Sequence, residues 1–391
     1  MYRNFFLRRL ERSGLLALSF ILLLLGPTSA FSKEGPLDKK LSNGIRLLVS
    51  SRSKAPIASV QLWVKAGRTE DPPGLRGAAT LISHLLGGAV IERRLKESVP
   101  GLQTKGVRAS SNCYDDSFCI SLTGPSAYAP DMARALARLA KKPDFSSKEF
   151  EVARKLERRR LKSLSKSDRA KLMQQLIHLS YTMHPYGRHP LDALPCVSSF
   201  SHGQILEEAK RRLNPKNLIL SVAGGVDKRE VLLVAQRAFS ELPNKGDSSR
   251  PFIVEPKMVT PRSFIDRGPF EKERVALAYM IPPARSSEIY PLLLFSELLG
   301  PPSRSEIRRE LLAQLPEDSK VSVEVRIRRE PGLFIVIAEG REISAEEFRT
   351  RLSAVLSRTG STGGSIRLSE MARAKSRLKT MLRQRFSDPQ G

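Results

Sequence analysis

The sequence predicts an α+β protein made of two consecutive homologous α/β domains, the second shortened relative to the first. Three observations predict it. Strand and helix patterns alternate from residue 41 to residue 239. A polar, Pro-containing stretch at 244–261 interrupts them. A similar order of strands and helices then restarts and runs to the C-terminus, as a duplicated unit would. The chain has 391 residues, enough for two full cores. The expected layout is a leader at 1–30, a first domain at 37–243, a linker at 244–261 and a second domain at 262–391.

The leader reads from its chemistry. Arg3, Arg8, Arg9 and Arg12 precede an apolar run from Leu15 to Leu25, which is too short to span a bilayer. Thr28-Ser29-Ala30 then supplies small residues, so cleavage near Ala30 and export to a periplasmic or extracellular location are expected. An uncleaved anchor is the alternative. No Cys follows the cut, which argues against a lipid anchor.

The elements follow in order. Leu41–Val49 reads as a strand entered through an Asn43-Gly44 turn, and Ile57–Ala66 as the next. Gly67–Gly77 is a polar loop, and Gly77–Leu86 an uninterrupted helix. Val107–Thr123 reads as one long strand or a pair bent at Tyr114–Asp116. Helices are expected at 131–141, 147–164 (heavily basic), 171–183, 201–213 and 228–239, with a buried strand at 217–223. In the second unit, strands are expected at 274–281, 320–328 and 332–339. Helices are expected at 289–299, 304–314, 345–356 and 368–385, with a flexible loop at 359–364.

The net charge is +26, with 66 Lys and Arg against 40 Asp and Glu. This favours contact with anionic partners: acidic peptides, or an anionic envelope surface. No nucleic-acid motif accompanies it, so nucleic acid is not an expected partner. The three cysteines are Cys113, Cys119 and Cys196. As members of one extended strand, Cys113 and Cys119 would lie ~20 Å apart, too far to bridge. Buried free thiols are expected, with a link to Cys196 the alternative.

The helix at 77–86 carries Thr80, Ser83 and His84 at i, i+3 and i+4, on one face. A zinc peptidase helix with H-x-x-E-H puts two metal ligands and a general base there. Here the pattern is T-x-x-S-H. The chain resembles the pitrilysin/insulinase metallopeptidase family, which includes mitochondrial processing peptidase and its bacterial relatives. The resemblance covers nearly all of the chain after the leader. It rests on ordered tags: Leu41-Ser42-Asn43-Gly44-Ile45, Val60–Gly67, the His84 helix, His184-Pro185-Tyr186-Gly187-Arg188, Leu213–Leu218 and Gly224-Gly225-Val226-Asp227. Leu299-Gly300, Ser303-Arg304 and Pro331-Gly332-Leu333-Phe334 continue it in the second unit. The resemblance implies the processing-peptidase (LuxS/MPP-like) fold.

It also implies that the catalytic set is degenerate. The family's first His falls on Thr80, its base Glu on Ser83 and its second His on His84. Its later acidic ligand falls near Arg159 and Arg160, with Glu157 the nearest acid. Arg is a permanent cation where zinc needs an anion. No metal ligand set survives beyond His84, and no cofactor is expected; zinc is the cofactor if the site is active. The family's peptide-pairing segment falls on Asn112-Cys113-Tyr114-Asp115, making Asn112 and Cys113 candidate substrate contacts. A substrate-holding Arg falls on Arg308 or Arg309, for which a solvated helix face is the competing reading. The resemblance implies an exported, non-catalytic subunit that partners an active homologue and helps enclose peptide substrate. Two other readings fit the same residues: an active zinc metalloendopeptidase with an atypical site, and a stand-alone peptide- or envelope-binding protein.

Overall fold

A computed structural model describes residues 35–52, 55–98, 105–242, 253–266, 272–300, 305–313, 315–341, 345–360 and 366–387. The leader, the tag Ser303-Arg304, residues 244–252 of the expected linker and residues 361–364 of the expected loop lie outside them.

Among the described residues, the first sheet has six strands. They are β1 (Leu37–Lys40), β2 (Arg46–Ser51), β3 (Ile57–Val64), β4 (Arg108–Cys113), β5 (Phe118–Pro125) and β6 (Leu218–Gly224), in the order β1-β2-β6-β3-β5-β4. Only the β2–β6 pair is parallel. Strand β1 was not expected from its sequence, since Leu37-Asp38-Lys39-Lys40 is polar. It exists because β2 presents an edge, and Leu37 pairs with Val49 while Lys40 pairs with Arg46. Asn43-Gly44 is thus the turn of a hairpin, not a strand entry, and Gly44 takes φ +98° as such a turn requires. Alternation sends Val60, Leu62 and Val64 of β3 and Phe118, Ile120 and Leu122 of β5 into one apolar core. The opposite face is polar: Ser59 bonds Ser121, and Trp63 Nε1 donates to Gln61 Oε1 at 2.8 Å.

The segment 107–123 is the strand pair, turned at Tyr114–Ser117. This corrects the cysteine spacing. Asn112 pairs with Cys119 and Cys113 with Phe118, so the two thiols sit on neighbouring strands. They are one register step apart and therefore face opposite sides of the sheet. All three cysteines are free, and Cys113 and Cys196 are half-buried, not fully buried.

Helices α1 (Ala78–Leu85), α2 (Ile91–Ser98), α3 (Ala129–Lys141), α4 (Ser147–Leu164), α5 (Asp168–Ser180), α6 (Leu194–Val197), α7 (His202–Arg212) and α8 (Lys228–Phe239) surround this sheet or follow it. A wide turn at Leu86–Val90 joins α1 to α2. Helix α4 starts where its sequence says: Ser146 accepts from Glu149 N while Glu149 accepts from Ser146 N.

The second sheet has three antiparallel strands, β7 (Glu273–Ile281), β8 (Lys320–Arg326) and β9 (Gly332–Gly340), with β9 central. Phe334, Val336 and Ala338 of β9 face a core shared with α9 (Ile289–Leu299), α10 (Glu306–Ala313) and α11 (Ala345–Gly360). Helix α12 (Leu368–Ser387) packs on α9. Thr359 and Gly360 belong to α11, where a loop was expected. The other face of β9 presents Leu333, Ile335 and Ile337 to Met173 and Ile177 of α5 and to Tyr181 and Tyr186. Burial of each such side chain stabilises by about 1.5–3 kcal/mol. A helix of the first unit is therefore the lid of the second sheet.

A polar seam runs beside that contact. Asp115, in the β4–β5 turn, is bonded by Arg68 Nη2 at 2.8 Å and Arg328 Nη2 at 2.6 Å. Burial opposes its ionisation, but Arg328 and Arg68 outweigh this and hold its carboxyl below the usual range. The Arg328 guanidinium lies 4.4 Å from the Tyr186 ring centre, and Tyr186 donates to Asp116 Oδ2 at 2.6 Å. In the linker, Glu255 accepts from the backbone N–H groups of Thr182, Met183 and His184.

Candidate functional site

The site is built on α1. Its N-terminus is held by Asp71, which accepts from Gly77 N at 2.8 Å and Ala79 N at 2.9 Å. Asp71 is in turn paired with Arg212 Nη2 at 2.7 Å. Arg212 is fully buried, and its other donors reach Ala66 O, Gly67 O and Glu208 Oε2. Gly77 has φ +96°, and a Cβ there would lie 2.6 Å from Ala193 Cβ. The polar loop thus feeds the helix through a buried ion pair and a glycine that no other residue replaces without strain.

Past that anchor the sequence-predicted residues converge. Thr80, Glu157 and Arg160 line one narrow cleft, together with Arg68, Asp71, Arg76, Gly77, Arg188, His189, Pro190, Asp192 and Ala193. His84 Nδ1 lies 3.6 Å from Glu157 Oε2. Glu157 is the acid of α4 that faces α1, and its side chain is 1% exposed. Arg160, one turn on, clasps it with Nε at 2.8 Å and Nη2 at 2.6 Å. Arg159 is exposed and belongs to the outer side of α4. Cys113 stands beside Thr80, and burial pushes its thiol up to about 11, against the pull of Arg68 and the Thr80 hydroxyl. Ser83 is fully buried and its Oγ has no partner among the described residues.

Burial holds His84 below the usual histidine range; Glu157 pulls it up and Arg160 pushes it down again. His189 goes further, to about 4, through burial that Asp192 only partly opposes. Its Nδ1 accepts from Leu191 N at 3.2 Å, which needs the neutral ring. His184 caps the preceding turn in the same way through Tyr186 N.

The donor set does not fit zinc. Such sites take three or four N, S or carboxylate ligands. Here one imidazole and one carboxylate meet, and the carboxylate is already held by a guanidinium. No group of three His, Cys, Asp or Glu among the described residues could hold a metal ion. Thr80 and Ser83 offer neutral hydroxyls, so neither supplies the carboxylate base that an H-x-x-E-H helix places there.

Of the other sequence-predicted residues, Asn112 is exposed on β4, one of the two edge strands of its sheet among the described residues, and α1 packs against that strand. Arg308 lies in the second unit, where its guanidinium donates to Leu299 O and Val321 O. It ties the C-terminus of α9 to β8; the expected solvated face describes Arg309, which is exposed. Sequence reasoning missed Arg68, Asp71, Arg188 and Arg212 as site residues. Their partners are distant in the chain, and no local spacing signals them.

Comparison with known proteins bears on the family and the fold. The family model for Insulinase (Peptidase family M16) matches residues 46–193, and that for the Peptidase M16 inactive domain matches residues 199–378. The zinc protease PqqE of Helicobacter pylori is 24% identical over 356 residues, spanning 88% of this chain and 79% of that protein. A probable mitochondrial-processing peptidase subunit alpha-1 of Arabidopsis thaliana is 24% identical over 206 residues, 52% of this chain and 40% of that protein. The crystal structure of a protease from Helicobacter pylori superposes with a TM-score of 0.80 at 20% identity, over 91% of this chain and 86% of that one. With its two units matched in order by the two domain models of one family, and with the fold shared, this chain belongs to the insulinase family, peptidase family M16.

Proposed function

We propose that this chain is a non-catalytic member of its family that partners an active homologue and helps enclose extended peptides. One observation carries the reading: the acid facing His84 is clasped by Arg160, and Thr80 and Ser83 stand where a ligand and a base are needed. A guanidinium bound through two parallel N–H···O contacts is a strong competitor for that carboxylate.

Two further points support it. Edge strand β4 leaves backbone groups for an extended peptide, and strand addition does not depend on side-chain identity. The Arabidopsis relative is named as a subunit, and two half-shells around a substrate would bury a large surface. Export is part of the proposal, supported by the leader pattern at 1–30; mass spectrometry of the mature N-terminus tests it.

The main test is co-expression with the nearest genomic homologue, followed by size-exclusion with light scattering and a peptidase assay. A joint peak and altered peptidase activity are expected. Separate elution at micromolar concentration and low salt, with unchanged activity, sinks the idea. A second test addresses the site. The purified chain should carry no stoichiometric zinc, and Thr80→His alone should not change that. Thr80→His with Arg160→Ala, which frees Glu157, should raise zinc towards about one ion per chain. Stoichiometric zinc in the unaltered chain, lost on His84→Ala, overturns the non-catalytic reading.

A further inference from the structure

We infer that the outward face of α4 docks on an anionic lipid bilayer. The helix is fixed by its inner side: Phe150, Glu157 and Leu161 are buried. At about 100° per residue, the opposite side carries Lys148, Val152, Lys155, Leu156, Arg159 and Lys162. Val152 is 53% and Leu156 58% exposed. All four cations are exposed and make no ion pair among the described residues. No carboxylate shares this face. Glu149 is bound in the helix cap, Glu151 pairs with Arg154, and Glu157 is buried against Arg160.

The pattern is an apolar centre flanked by long cations, the chemistry of a helix lying in a membrane interface. Lys and Arg lay their methylene stems over the apolar pair and extend their charge to head groups. A protein partner of comparable strength would want a pocket for an aromatic or Arg anchor, and a single convex helix face offers none. Nucleic acid would use the cations and leave Val152 and Leu156 wet. A bilayer accepts both groups at once. The net charge of +26 adds long-range attraction to the same surface. This docking is independent of the role proposed for the α1 face.

The test uses the full chain and vesicles of phosphatidylglycerol and phosphatidylcholine, with pure phosphatidylcholine as reference. Each cation at an anionic surface multiplies partitioning about fivefold. The variant K148Q/K155Q/R159Q/K162Q should therefore lose at least about tenfold in partitioning. A control with as many cations removed elsewhere, R229Q/R237Q/K257Q/K379Q, should lose far less. Val152→Trp gives a local readout over the single native Trp63, and its emission should shift to the blue on anionic vesicles only. Equal losses in the two charge variants would reduce the effect to bulk charge and overturn the proposal. So would an unshifted Val152→Trp emission while the chain sediments with vesicles, since attachment would then lie elsewhere. Absence of any partitioning into anionic vesicles overturns it as well.

Discussion

Helix α1 meets a buried acid paired with an arginine at two places, and the pairs differ in kind. At its N-terminus, Asp71 and Arg212 are both buried, and besides each other they bind two helix N–H groups, three loop carbonyls and the Glu208 carboxylate. On its His84 face, Glu157 is buried but Arg160 is 45% and His84 43% exposed. The first pair is a closed structural unit. The second is open to the cleft, and its parts can be exchanged without dismantling the helix. A scaffold that positions a catalytic helix therefore persists here beside a face whose chemistry differs from that of a zinc peptidase.

The comparison breaks most readily at Arg212. Arg212→Ala leaves Asp71 buried and short of its partner, and removing one member of a buried pair costs about 3–5 kcal/mol. Denaturant unfolding should show that loss. A change below about 1 kcal/mol would mean that the two pairs do not differ as described. Arg160→Ala tests the open pair. It removes a cation that pushes His84 down and leaves Glu157, which pulls it up, so the His84 pKa should rise. Histidine NMR titration reads this directly, and an unchanged or lowered value contradicts the geometry.

Acid sharpens the contrast in the neighbouring loop. His184 and His189 both cap turns through a neutral ring nitrogen. Folding lowers both pKa values, to about 4 for His189, from an ordinary 6.5. Above pH 6.5 both states are neutral and pH has little effect through these groups. Below it the unfolded chain takes up the protons first, so stability falls until the folded-state pKa is passed. Thermal unfolding from pH 7 to pH 4 should show this decline, and His189→Asn should flatten part of it. The smallest effect is at Ser83. Its buried hydroxyl lacks a partner among the described residues, so Ser83→Ala should be neutral or stabilise by up to about 1 kcal/mol. A clear loss of stability would show that the hydroxyl is bonded after all.

Local rules were enough for most elements. Alternation marked β3, and the helix patterns at 131–141, 147–164 and 228–239 fall close to α3, α4 and α8, because those signals lie within a few residues. The ordered tags were enough to place the family, and the T-x-x-S-H face of α1 was legible at once. Three things were not. Strand β1 has no apolar pattern and forms only because β2 offers an edge. Of the two readings of 107–123, one long strand or a pair bent at Tyr114–Asp116, only the structure selects the pair, which sets Cys113 against Phe118 of the neighbouring strand. The acid facing His84 was ambiguous between neighbouring turns of α4, and only helix rotation against α1 selected Glu157 and turned Arg159 outward.

The sequence by itself determined which side chains are available for chemistry: one His where a zinc peptidase has two, hydroxyls in place of a ligand and a base, and a strongly basic α4. Composition and short-range spacing carry that information. Tertiary structure alone decided how those groups are used. Asp71 and Arg212 are separated by 141 residues, Arg68 and Asp115 by 47, and Tyr186 and Arg328 meet across the two units. Such pairs exist only after loop closure has brought distant segments together, and no local pattern encodes the partner. The same closure set Glu157 of α4 against His84 of α1 and left the cations of α4 facing outward, whereas the clasp of Arg160 on Glu157, three residues apart on one helix, is local.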